Sequence, residues 1–319
     1  MGMGGPSRRD LLAAAGMAGI AGCGRSGRPA RKPLVSAIRV GSYQEDLADI
    51  IRRILREHKV RVQGRRILLK PNLVEFDPNT CINTNPRLVA AAIEAFRSAG
   101  AAEVHVAEGP GHRRCTLDMA DAAGYFEAIP KFESVFTDLN VDDVFRTDLR
   151  NPVSKLRTVY FPKTPFRYDL ILSMPKLKTH HWVGATLSMK NFFGFIPGNV
   201  YGWPKNILHW SGIDECIVDL YRCFPSHFAI VDGIVGMEGN GPIQGTQKAS
   251  GVLVAGADLV ATDASCCRIM RIDPKKIRYL RLAEDAGQTN AANIQQIGER
   301  LDSVSSEFAL MPQWRWIRG

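Results

Sequence analysis

The sequence predicts an α/β protein, a mostly parallel β-sheet covered by helices on both faces. Three observations predict it. Apolar runs of strand length alternate with segments of helical periodicity along most of the chain. Helix start signals fall where that alternation needs them, as in Asn85-Pro86, with Pro in the first helical position. Strand ends run repeatedly into charged residues and glycine, the place where open α/β sheets bind their ligands. Composition agrees, since 319 residues, 45% apolar and 23% charged, describe an ordinary globular chain. At that length roughly three quarters of the unfolded surface is buried on folding, so stability requires neither disulfides nor a structural metal.

Residues 1–32 read as an address rather than as fold. Arg8-Arg9 precedes Leu11-Leu12 and a weakly apolar Ala/Gly run to Gly22, too short to span a bilayer. The paired arginines resemble a twin-arginine export signal, which makes the export machinery a partner and the cell envelope or periplasm the destination. Ile20-Ala21-Gly22-Cys23 resembles a lipobox, making Cys23 the lipidation candidate and the signal or lipid anchor the only expected membrane contact. Gly24 to Lys32 is a disordered basic tether by composition, and residues 33–319 are expected to form a single α/β domain. This leader holds +5 of the formal +9 charge, leaving the body at +4. A body so weakly charged gives no reason to expect nucleic-acid binding.

The elements follow in order. Leu47, Ile50, Ile51, Ile54 and Leu55 define an amphipathic helix ending near Glu57. Arg66 to Leu69 is a buried-strand pattern leading into Lys70-Pro71-Asn72. Asn85 starts a helix running to Gly100, and Val104 to Ala107 is a strand that breaks at Glu108-Gly109-Pro110-Gly111-His112. Further strands are read at Val135–Thr137, Leu170–Ser173, Phe228–Val231 and Val252–Ala255, with helices at Ile213–Tyr221 and Leu259–Met270. Residues 144–168, with three prolines around Arg157 to Phe161, read as an antiparallel edge or a small insertion.

The polar residues collect after these strands. In Met174-Pro175-Lys176-Leu177-Lys178-Thr179-His180-His181 the two-residue period of extended backbone puts Lys176, Lys178 and His180 on one side. Two ammonium groups and an imidazole suit a small anion, with His180 as a proton carrier. Lys70, Asn72, Lys190 and Asn191 join the anion-binding candidates, and Lys178 is expected to contact solvent. The run Asp232 to Pro242 carries four glycines, matches neither the dinucleotide fingerprint nor the P-loop, and reads as a loop. Within it Asp232 and Glu238 are candidate catalytic groups, and Gly239 and Gly241 allow close approach to a ligand. Glu108, His181, Asp258 and Asp263 are candidate ligands for a divalent metal, although Asp258 equally suits a helix N-cap. The seven cysteines contain no C-x-x-C pair and read as small buried apolar residues. The aromatic-rich stretch from Gly194 to His209 has the composition of an ordered covering loop.

Lys70-Pro71-Asn72, Thr84-Asn85-Pro86, Glu108-Gly109, Pro175 to His180, Lys190-Asn191 with Gly194, Asp232-Gly233 with Glu238-Gly239 and Gly241-Pro242, and Asp258 with Asp263 together resemble the family called domain of unknown function 362. The resemblance covers roughly residues 34–285 and implies that these blocks line one pocket. Many members carry cysteine-rich iron–sulfur segments. This chain lacks a cysteine cluster, so a 4Fe–4S centre is not expected in it. Two functions stay open: an enzyme acting on a small anionic substrate, with or without a metal, and an exported cofactor- or partner-binding protein without catalysis. Site residues inside one pocket favour the first, and a flat basic face bordered by aromatics favours the second.

Overall fold

The computed structural model describes residues 32–112, 115–224, 226–286 and 293–319. The Arg8-Arg9 leader and Cys23 lie outside the described residues. Pro33–Gly319 forms one compact unit. Its strands are β1 (Leu34–Arg39), β2 (Arg66–Pro71), β3 (Glu103–Glu108), β4 (Phe136–Asp138), β5 (Val144–Asp148), β6 (Thr158–Pro162), β7 (Leu170–Met174), β8 (Lys176–His180), β9 (Gly184–Thr186), β10 (His227–Glu238), β11 (Thr246–Gly256) and β12 (Gln295–Gly298). The longer helices are α1 (Leu47–Glu57), α2 (Pro86–Ser98), α3 (Ile213–Arg222), α4 (Leu259–Ile269) and α5 (Arg278–Asp285).

The central sheet has the order β12-β1-β11-β10-β7-β2-β3-β4. Its ladders are parallel except where β11 runs against both neighbours. The segment at 144–168 holds the antiparallel hairpin β5–β6, which forms a separate two-stranded sheet. Strand alternation builds two cores. Ile67 and Leu69 of β2 pack with α1 and α2 on one face, while Leu68 packs with α3, α4 and α5 on the other. Side chains cap three of these helices: Asp46 on α1, Asn85 on α2 and Asp258 on α4, each accepting a backbone N–H of the first turn.

Two local features position the site. Strand β10 pairs first with β7 and then, past Pro175, with β8, matching Asp232 to Lys176 and Met237 to Lys178. The glycine run read as a loop after Val231 is therefore strand through Glu238, with a register shift between Gly233 and Val235. Gly233 and Gly236 serve close packing, because a Cβ on either would press into a β11 carbonyl or the Leu177 carbonyl respectively. Among the described residues no helix is long and apolar enough to cross a membrane, and the six cysteines are free.

Candidate functional site

A half-enclosed cavity of about 290 Å³ lies beyond the carboxyl ends of β2, β3 and β7, walled by β8 and roofed by the 187–209 segment. Lys70, Asn72, Glu108, Lys176, Lys178, His180, His181, Lys190 and Asn191 all line it. Adjacent strands β2 and β3 deliver Lys70 and Glu108, which form an ion pair at 1% and 2% exposure. The second Glu108 oxygen accepts the Gly109 N–H at 2.8 Å. Asn191 donates to the Lys70 carbonyl at 2.9 Å and to Ser173 Oγ at 3.1 Å, while the Lys70 ammonium also donates to the Pro71 carbonyl at 3.0 Å and Glu108 accepts the Leu73 N–H at 3.2 Å. Gly194 lies against the pair so closely that a Cβ there would collide with the Glu108 carboxylate and the Lys70 ammonium.

Lys176 is likewise committed. Its Nζ pairs with Asp232 at 2.7 Å and donates to Tyr43 Oη at 2.9 Å, while Tyr43 donates to the other Asp232 oxygen at 2.7 Å. The backbone N–H of Asn85 completes the cluster at 2.9 Å. Asp232 is fully buried and does not line the cavity. It sits on the α1/α2 face of β10, two residues on from Ile230.

Three lysines differ. Lys178, at 1% exposure, donates to the carbonyls of Ile82 at 2.6 Å and Pro242 at 3.3 Å. Burial strips its hydration and pushes it down to about 7, with neighbouring Lys176 and Lys190 acting in the same direction. It is not the solvent-contacting lysine expected from the sequence. Lys205 donates to the Gly109 carbonyl at 2.6 Å and is also pushed by burial to about 7. Lys190, partly exposed at the rim, lies 4.7 Å from the centre of the Phe193 ring and is lowered by desolvation to about 8. Among the described residues none of the three has a carboxylate within ion-pair distance.

The histidines present opposite edges. His180 is 3% exposed and its Nδ1 accepts the Trp182 N–H at 3.0 Å, which leaves the proton of the neutral ring on Nε2. Desolvation first, then the surrounding lysines and histidines, holds it well below the usual imidazole range. His181 donates its Nδ1–H to the Gly241 carbonyl at 2.7 Å, leaving Nε2 as a lone-pair acceptor. His209, pushed to about 4 by burial, packs edge-on against Trp182.

Several sequence candidates lie elsewhere. Glu238 accepts the Ala309 N–H at 2.8 Å and pairs with Lys248 at 3.6 Å, away from the cavity. Gly239 donates to the Ala309 carbonyl, and Gly241 reaches the site only through its carbonyl on His181. Asp258 caps α4 at the opposite rim, because β11 is antiparallel and sets Gly256 beside Ala229, near the start of β10. Asp263 is buried behind the loop and accepts the N–H groups of Ser188 at 2.8 Å and Met189 at 3.1 Å, with burial raising it to about 7. It positions Lys190 and Asn191 rather than facing the cavity. Among the described residues no three His, Cys, Asp or Glu side chains gather as a metal site. Sequence reasoning passed over Lys205 as a site residue. Its one signal in the sequence is its place after Trp203-Pro204 in the covering loop.

A thylakoid-associated protein of Synechocystis sp. is 28% identical over 233 residues, covering 70% of this chain and 68% of that protein. Among solved structures, the lactate racemase apoprotein of Thermoanaerobacterium thermosaccharolyticum superposes with a TM-score of 0.47 at 12% identity, over 75% of this chain. The match spans 57% of that enzyme's chain. The family described as a domain of unknown function (DUF362) matches residues 67–268, a stretch running from β2 to α4 and holding every lysine and histidine of the cavity; the chain belongs to that family.

Proposed function

We propose that this protein is an exported enzyme that acts on a small organic anion bound in the cavity. The observation that carries the reading is the charge imbalance. Lys178, Lys190 and Lys205 converge on one small cavity with no carboxylate within ion-pair distance among the described residues, whereas Lys70 and Lys176 beside them are each paired. Buried ammonium groups held only by carbonyls, as Lys178 and Lys205 are, carry an uncompensated charge, and an incoming carboxylate or phosphate offsets that cost. Perturbed ionisable groups gathered in a concave site are the mark of binding or catalytic machinery.

In this reading the lysines hold the anion and the histidines divide the proton work. His180 offers Nε2–H as a neutral donor to a developing negative charge, and His181 offers Nε2 as the acceptor. Lys70, Glu108 and Asn191 fix the floor. The leader directs the protein through the twin-arginine machinery to the cell envelope, with Cys23 as the lipid attachment point.

The test is calorimetric titration of the full chain with phenylacetate and propyl phosphate, beside Lys178→Met. That variant keeps side-chain volume and removes the charge. Loss of binding by ten- to a hundredfold in a variant that stays folded at the assay temperature supports the reading; binding of neither probe, or equal affinity in the variant, overturns it.

A further inference from the structure

We infer that the ligand of this cavity is an amphiphilic anion, a carboxylate or phosphate head carrying an apolar tail that lies along the cavity mouth; the inference rests on the anion-binding reading above. The charges of the cavity are set deep, and its exposed end presents large apolar side chains, the reverse of the order that water alone favours. Lys178 and Lys205 are 1% and 4% exposed. Among the described residues Glu108 is the one carboxylate of the lining, and Lys70 takes it. Val74, Phe193, Pro242 and Ile243 line the cavity half-buried, and Trp182 lines it at 55% exposure. Polar side chains at that level include Lys190 and three imidazoles, but no carboxylate.

Trp182 is held in place although it is exposed. Its backbone N–H is bonded to His180 Nδ1 at 3.0 Å, and its ring stands edge-on to His181 and His209 with centroids 4.7 and 4.8 Å away. A fixed indole loses little freedom when a ligand covers it, so its area converts efficiently into affinity. The two ends of the cavity therefore ask for different groups. A small hydrophilic anion answers the lysines and leaves Trp182, Phe193 and Ile243 in water. An uncharged apolar molecule covers those side chains and leaves the buried ammonium groups without a counter-charge. A molecule with an anionic head and an apolar tail answers both, and the half-enclosed shape gives a longer tail a way out.

Tail length tests this by calorimetry on the full chain, with propyl against hexyl phosphate, butanoate against heptanoate, and 1-hexanol as the tail without a head. The longer member of at least one pair should bind about tenfold or more tighter, since each methylene taken from water is worth roughly two- to fourfold in affinity. Trp182→Ala should cut that ratio at least about threefold; Ile243→Ser does the same job if Trp182→Ala fails to fold. Equal binding within both pairs overturns the tail and leaves the anion reading standing. A ratio unchanged by both substitutions overturns the placement of the tail at the mouth. Hexanol binding as tightly as hexyl phosphate, or no binding by any of the four anions, removes the anion reading and this inference with it.

Discussion

The backbone N–H of Trp182 is bonded to Nδ1 of His180 at 3.0 Å, so a residue two places along the chain decides which edge of a buried imidazole carries the proton. Its neighbour His181 is fixed in the other tautomer by the Gly241 carbonyl. Nitrogen-correlated NMR at pH 7 should therefore show two neutral rings, His180 protonated at Nε2 and His181 at Nδ1. Observing either ring as imidazolium at pH 7 would remove the division of proton work proposed here.

Affinity for an anion should fall as pH rises through 7 to 9, because Lys178 and Lys205 lose their protons near 7 and Lys190 near 8. Binding at pH 8 should take up protons, since an anion favours the charged lysines. Calorimetry in two buffers of different ionisation enthalpy reads this directly, and zero or negative uptake would count against it.

The same lysines act on stability with a worked sign. Their folded-state values lie below the ordinary 10.5, so between about 7 and 10.5 the unfolded chain binds more protons than the folded one. Unfolding free energy from these groups therefore rises with pH over that window and is lowest below 7, where all are charged in both states. Replacing Lys178 and Lys205 by Met should flatten this part of the stability curve in denaturant melts.

Asp232→Asn should lower unfolding stability by about 3–5 kcal/mol, because it leaves the Lys176 charge buried without its counter-ion. The loss should appear equally with and without a bound anion. An Asp232→Asn protein of unchanged stability would show that the Tyr43–Lys176–Asp232 cluster does not tie β8 and β10 to α2.

Gly194→Ala should destabilise on the order of 3 kcal/mol by driving a methyl group into the Lys70–Glu108 pair, whereas Gly111→Ala, with open space at its Cβ position, should change the melting temperature little. Similar melts for both variants would refute the close-packed floor.

Much of this protein was determined by its sequence alone. Helical periodicity placed α1 and α2, and Asn85-Pro86 fixed the start of α2, because capping and amphipathic spacing are local properties. The alternation in Lys176-Leu177-Lys178-Thr179-His180 already separated the cavity-lining residues from Leu177, since side chains of a strand alternate whatever surrounds them. The family blocks were legible for the same reason, as runs of neighbouring residues. What the tertiary structure decided concerns partners. Five lysines look alike in sequence, and only the fold gives Glu108 to Lys70 and Asp232 to Lys176 while leaving Lys178, Lys190 and Lys205 with no carboxylate at ion-pair distance among the described residues. The glycine run after Val231 reads as a loop until β8 and β11 supply its ladder partners. Asp258 reads as a rim residue until β11 proves antiparallel and carries it to the far end of the sheet. Strand direction, ion pairing and desolvation depend on residues distant in the chain, which no local pattern encodes.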